Sequence, residues 1–308
     1  MSAEGEEPRV TVDLFDDEMF ESEPQPPRKP SREPRPGRRK RRRGGGETAK
    51  RILVALPWII FAIAITVAGG IVFMLAMVAI GVVALREFDA IAARRRPLVI
   101  PAYVAMAALV VAAHFGSSFN ILYVVAASVP LVFAFAARPP HQEGATVSMG
   151  VTLLGVLWIG IPLAHAVLLR DLPSHGAALL IDVLVGTFVA DTAAYATGRM
   201  FGSHRITPNI SPNKTIEGLV GGFLIGTMGF WFAGLYQDWL SGVDALIIGA
   251  AVAAAAPIGD LFESMLKRDL GTKDSGTIFG PHGGLLDRLD AVFFTVVIGY
   301  YLAVALVY

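Results

Sequence analysis

The sequence predicts an all-α protein that crosses a membrane about nine times, behind a disordered N-terminal tail. Three observations carry this. Of 308 residues, 54% are hydrophobic and only 17% are charged, and the mean hydropathy of +0.57 is too high for an ordinary soluble domain. The apolar residues fall in long blocks, most of them near the ~20 residues that a helix needs to span a hydrocarbon core. The basic residues are divided very unevenly between the loops. Cysteine is absent, which excludes disulfides, thiolate metal sites and thiol catalysis.

Residues 1–50 begin acidic (Glu4, Glu6, Glu7, Asp13, Asp16, Asp17, Glu18), turn proline-rich, and end in the basic run Arg38 to Arg43 before three glycines. Such a segment cannot bury enough apolar surface to offset the entropy of ordering, so disorder is expected. A secretory signal would place its apolar core near the start; here a long polar stretch comes first, and the tail is expected to stay on the chain. Beside a membrane span the basic run reads as a cytoplasmic anchor touching anionic lipid, in preference to a nucleic-acid arm.

Residues 51–190 form an N-terminal membrane region, and residues 191–308 a second one that carries the polar motifs. Nine apolar segments run at about 52–68, 70–92, 98–115, 118–137, 147–169, 176–198, 216–236, 243–266 and 289–307, with a tight hairpin at Gly69-Gly70. If the N-terminus is cytoplasmic, the inner loops carry Arg94, Arg95, Arg96, Arg138, Arg199, Arg205, Lys214, Lys267, Arg268, Lys273 and Arg288, with Arg86 near an inner end; the outer loops carry Arg170 alone. Twelve against one orients a multi-pass protein of the cell membrane, with its polar motifs on the cytoplasmic side.

Ionisable residues within spans are costly and default to functional candidates. Glu87 and Asp89 lie near an inner end beside Arg86, where snorkelling is an equal reading. Asp182 lies near an outer end, where a structural role is expected. Asp191, Asp260 and Glu263 lie toward inner ends and carry more weight.

Between the last two segments, Ser264 to Asp290 sets Lys267, Arg268, Lys273 and Arg288 against Asp269, Asp274, Asp287 and Asp290, with His282 beside Gly283 and Gly284. A metal-bridged polyphosphate requires this mixture, because carboxylates hold hard cations such as Mg2+ while Lys and Arg neutralise the remaining phosphate oxygens. A solvated loop would explain the charges but not the interleaved Gly276, Gly280, Gly283 and Gly284, which suit close backbone approach or positive φ. Asp260, Ser264 and Lys267 at i, i+4 and i+7 share one helix face, with Glu263 alongside. Asp287 and Asp290, at i and i+3, open the last segment at the positive end of its dipole. Asp260, Asp287 and Asp290 are therefore candidate metal ligands from two antiparallel helices; an electrostatic stripe on one helix and simple capping on the other are the alternatives.

A second constellation runs from Asp191 to Gly218. Ser211-Pro212-Asn213-Lys214-Thr215, followed by Glu217-Gly218, places hydroxyls, an amide and a lysine ahead of a helix start. Capping by Ser211 or Thr215 and phosphate binding at the helix N-terminus are both open. No Walker A sequence and no G-x-G-x-x-G after a strand is present, so the soluble nucleotide-binding folds are not indicated.

The pattern S-M-L-K-R-x4-K-D-S-G-x2-F-G-P-H-G-G-L-L-D-R-L-D over Ser264–Asp290 resembles the signature of the phosphatidate cytidylyltransferases, or CDP-diacylglycerol synthases. D-x-x-A-Y-x-x-G-R-x-F-G…S-P-N-K-T-x-E-G, from Asp191, resembles the upstream block of that family; Ile216 stands where an aromatic residue is more usual, and residues 1–50 lie outside the resemblance. The resemblance implies an all-helical multi-span fold and the reaction of CTP with phosphatidic acid at the cytoplasmic membrane surface. It further implies Mg2+, room for a second cation such as K+, a two-cation centre on Asp260, Asp287 and Asp290, and a homodimer. With it, Asp260, Lys267, Asp287 and Asp290 become the candidate catalytic residues. Lys267 and Arg268 are assigned to phosphates, His282, Gly283 and Gly284 to a phosphate-cradling loop, and Lys214 with Ser211 to CTP or the lipid phosphate. Asp191, Thr215, Ser264, Lys273, Asp274 and Arg288 complete the expected substrate-binding set. A CTP-dependent kinase of a polyprenol or phytol is the nearer rival. A secondary transporter is the more distant one, since its charges would sit near the midplane between related halves.

Overall fold

In hydrocarbon no water can satisfy backbone N–H and C=O groups, so each apolar block closes its hydrogen bonds internally as helix. The computed structural model describes residues 45–139, 143–208, 210–276 and 283–308, with side chains from Pro57 onward. The tail expectation for residues 1–44 and the role given to His282 lie outside them. Two units are distinguished, Met1–Arg51 and Ile52–Tyr308; of the first, residues 45–51 are described, and they are helical.

The helices are α1 (Gly45–Ala68), α2 (Gly70–Ile91), α3 (Val99–Phe115), α4 (Ser118–Ala136) and α5 (Ala145–Arg170), then α6 (Gly176–Phe201), α7 (Ile216–Gly234), α8 (Gly242–Asp269) and α9 (Leu286–Leu306). Helix α1 starts before Ile52, because Glu47-Thr48-Ala49-Lys50-Arg51 is mostly good helix-forming sequence. Seven helices, α2 and α4 to α9, are long and apolar enough to cross a membrane. All nine expected segments are helical among the described residues, and these seven have the length and composition of a span. Helix α3 has 17 residues, about 25 Å at the helical rise, short of the ~30 Å core. The apolar part of α1, Pro57–Ala68, is shorter still.

The ends of the helices follow from local chemistry. Gly69, at φ +61°, breaks α1 from α2, and a Cβ there would collide with the Arg170 guanidinium. Arg170 Nε donates to Thr66 O at 2.9 Å, so this arginine caps free carbonyls at the end of α1. Ser117 and Asn120 form a capping box before α4, and the Ser241 hydroxyl accepts from Asp244 N–H at 3.1 Å to start α8. Helix α5 carries a π turn at Val156–Gly160. Pro162 cannot donate the N–H that would reach the Trp158 carbonyl, and the wider turn aims Trp158 at Phe88, Phe262 and Phe293, with ring centroids 5.4 to 6.1 Å away.

Helices α6 to α9 pack through small residues, as membrane helices do when shape and dispersion must hold them together. Added Cβ atoms at Gly222 and Gly226 of α7 would lie 2.7 Å and 2.6 Å from the Cβ atoms of Ala194 and Ala190 on α6. The Thr187 and Thr295 hydroxyls, both buried, meet at 2.8 Å between α6 and α9. Asp182, buried in α6, accepts from Gln237 Nε2 at 2.7 Å, the structural role expected of it. One feature departs from pure helix: β1 (Arg205–Thr207) and β2 (Ser211–Thr215) form an antiparallel hairpin between α6 and α7.

Candidate active site

The site grows from one close approach. Gly259 of α8 faces the start of α9, where an added Cβ would lie 3.0 Å from the Ala291 Cα and collide with the Asp290 carbonyl. Asp260 and Asp290 are thereby carried to the same contact. Two turns along α8, Lys267 Nζ lies 2.7 Å from Glu263 Oε2 and 2.7 Å from Asp287 Oδ1. Only 13% of the lysine side chain, 2% of Glu263 and 14% of Asp287 are exposed, so water screens this bridge poorly. Removing one member would leave an uncompensated charge, a loss of about 3–5 kcal/mol for a buried pair. Asp287 is gripped from behind as well: Oδ2 accepts from Gly284 N–H at 2.7 Å and Ser275 N–H at 3.2 Å. Gly283, at φ +87°, supplies the left-handed turn that aims the Gly284 amide inward.

The β-hairpin brings the upstream motif to this place. Its register pairs Arg205 with Thr215 and Thr207 with Ser211, and Lys214 Nζ reaches Asp260 Oδ2 at 2.6 Å. Arg268 Nε donates to Ile210 O at 3.3 Å, a second tie between hairpin and α8. The hairpin base is locked by Glu217, which accepts from Ser203 N–H at 3.1 Å and lies 2.6 Å from His204 Nδ1. Thr215 Oγ1 accepts from Gly218 N–H at 3.1 Å, so this hydroxyl caps α7.

Asp191 lies within electrostatic reach of Asp260 and Lys214, and Asp290 within reach of Glu263, Asp260 and Asp191. Asp191, Asp260, Glu263, Asp287 and Asp290 thus make one acidic cluster in which Lys214 and Lys267 are set. Ser211, at the hairpin, and Ser264, on α8, are half-buried; Lys273 and Asp274 are exposed in the loop after α8, and Arg268 and Arg288 are exposed on their helices.

Among the described residues no three acidic or histidine side chains converge to ligate one ion. Asp260 and Asp287 each turn an oxygen to a lysine instead. The donor set is nevertheless the hard-oxygen kind that Mg2+ takes. Glu263 Oε1 is buried with no hydrogen-bond partner, an unsatisfied acceptor of the sort a cation would satisfy. By donor chemistry and by this oxygen, the residues fit a divalent cation.

One residue that spacing did not single out joins the site. Glu87 of α2 is buried, and its carboxylate accepts from the Leu285 and Leu286 N–H groups, each at 2.9 Å. Its sequence signal was a carboxylate inside an apolar segment, which fits a snorkelling side chain equally well.

Comparison with known proteins finds relatives over part of the chain. The chain is 43% identical over 132 residues to a phosphatidate cytidylyltransferase of Thermotoga maritima, covering 41% of this chain and 48% of that protein. It is 38% identical over 125 residues to the phosphatidate cytidylyltransferase of Haemophilus influenzae, covering 39% and 43%. It is 37% identical over 143 residues to the uncharacterized protein YnbB of Escherichia coli, covering 45% and 48%. The chain spans about half the length of these curated relatives. A sequence model of the Cytidylyltransferase family matches residues 49–306, nearly all of the membrane region. With both motif blocks meeting at one end of the helix bundle and that match running from α1 to α9, the chain belongs to the cytidylyltransferase family.

Proposed function

We propose that this multi-pass membrane protein transfers the cytidylyl group of CTP to phosphatidic acid, releasing pyrophosphate and forming CDP-diacylglycerol. The observation that supports it most is the bridge from Lys214 to Asp260 at 2.6 Å, which ties the upstream motif block to the helix that leads into the downstream block, where Lys267 and Asp287 are themselves paired at 2.7 Å. The site end faces the cytoplasm of the cell membrane, in keeping with the distribution of basic loop residues.

A phosphate oxygen of phosphatidic acid forms the new bond to the α-phosphorus of CTP, while the bond to the bridging oxygen breaks and its electron pair leaves with pyrophosphate. A phosphomonoester with a second pKa of roughly 6 is already largely ionised near neutrality, so no strong general base is needed. The barrier is the approach of two polyanions, which positioned cations lower. Lys267, Lys214 and Arg268 neutralise phosphate oxygens, and Ser211, Ser264, Lys273, Asp274 and Arg288 line the approach. Asp260, Asp287 and Asp290 would hold Mg2+, and a second cation such as K+ beside it, which would supply charge neutralisation and polarisation of the phosphates. A homodimer is the assembly that the family resemblance implies.

The test is transfer of label in vesicles containing phosphatidic acid and the purified chain. CTP labelled at its α-phosphate yields a labelled, cytidine-bearing lipid with Mg2+ and none without it. A lipid labelled only from the γ-phosphate would replace this reading with a kinase, and no lipid label at all would remove it.

A further inference from the structure

Glu87 sits far along the chain from the groups it holds. Only 5% of its surface is exposed, and three donors converge on it: Leu285 N–H on Oε1 at 2.9 Å, Leu286 N–H on Oε2 at 2.9 Å, and the Ser275 hydroxyl on Oε2 at 3.4 Å. The two amides are the first of α9, whose N-cap residue Leu285 makes no side-chain cap of its own. Buried N–H groups at a helix start need an acceptor, and a carboxylate there also meets the positive end of the dipole. Glu87 does from α2 what Ser241 and Thr215 do for their own helices.

The backbone closes tightly on this carboxylate. An added Cβ at Gly276 would lie 2.5 Å from Oε1, and one at Gly284 would collide with Oε2. Two glycines that read in the sequence as room for a ligand are therefore room for Glu87. Asp287 takes hold of the same short segment from its other side, through the amides of Ser275 and Gly284. The two carboxylates hold Ser275 and residues 284–286 between them, and the aim of Asp287 at Lys267 depends on how these residues are held.

We propose that Glu87 is a positioning residue for cytidylyl transfer, fixing residues 275–276 and 283–286 so that Asp287 meets Lys267. The inference rests on the function proposed above, and Glu87 itself touches no substrate. The test compares Glu87→Gln with the wild-type full-length chain in vesicles containing phosphatidic acid. The amide keeps the size of the side chain but turns an NH2 group toward one of the three donors. The expected result is a kcat lower by roughly 10- to 100-fold, as for other supporting partners of reactive groups. It comes with a modest fall in melting temperature and faster amide exchange confined to the peptide covering 283–290. A wild-type kcat overturns the proposal; so does a loss of kcat with exchange faster throughout, which marks a purely structural role. If Glu87→Gln does not accumulate in the membrane, Ser275→Ala removes one donor to the same carboxylate. Reduced kcat with local exchange supports the proposal, and unchanged values of both overturn it. Failure of the wild-type chain to make a cytidine-bearing lipid would sink the proposed function, while the exchange measurement would still report whether Glu87 holds the loop.

Discussion

Lys214 and Lys267 each rest against carboxylates within 2.7 Å, so the positive charges proposed to meet phosphate are already paired within the protein. This makes single carboxylates informative. Asp260→Asn and Asp287→Asn should each reduce cytidylyl transfer by at least ~10²-fold, by analogy with loss of one electrostatic contact to a transition state. Both variants should still insert into the membrane, and initial rates on equal amounts of purified protein check the loss of transfer. A variant that keeps near-normal turnover removes its residue from the site. Lys267→Met should cost both activity and stability, because it strands Glu263, with 2% of its side chain exposed, beside Asp287; a fall in melting temperature alongside the lost rate is the expected pair. Spacing along one helix face made Asp260, Glu263 and Lys267 legible in the sequence. Glu87 was not, since nothing near it in the chain signals partners 198 and 199 positions away.

Among the elements, the helix blocks were legible because hydropathy over a span-length window is a strong signal. The β-hairpin was not: strands of three and five residues, one containing Pro212, carry too little pattern to separate from a loop. Yet the hairpin is what delivers Lys214 to Asp260. The α8–α9 contact gives the sharpest test at this scale. Gly259→Val should force the two backbones apart, lowering stability by about 1–3 kcal/mol as overpacking does and abolishing transfer, since Asp260 and Asp290 flank the contact. Gly150→Ala in α5, where an added Cβ meets nothing within 4 Å, should instead leave activity intact and stabilise the helix by about 0.5–1 kcal/mol. Thermal inactivation in detergent, followed by rate, separates the two.

For the whole molecule, orientation is the property on which the chemistry depends. Cysteine is absent, so a single introduced thiol reports its side of the membrane without background. Lys273→Cys, in the exposed loop at the site end, should react in intact cells only with a membrane-permeant reagent. Ser174→Cys, in the exposed turn between α5 and α6, should react with an impermeant one. The reverse pattern would put the site outside, away from nucleoside triphosphates. The number of crossings was less legible than the positions of the helices, because α3 is apolar throughout yet shorter than a hydrocarbon core.

The hold of Glu87 on the start of α9 also dictates an order of events during biosynthesis. Helix α2 enters the bilayer early, with its carboxylate waiting for amides that the ribosome has not yet made. Closing a loop of that length is slow to reward in folding, so the reactive end of the molecule is completed only when the final helix has been inserted and docked. A chain terminated before Leu285 should accordingly lack both the amides that Glu87 holds and the Asp287 that pairs with Lys267.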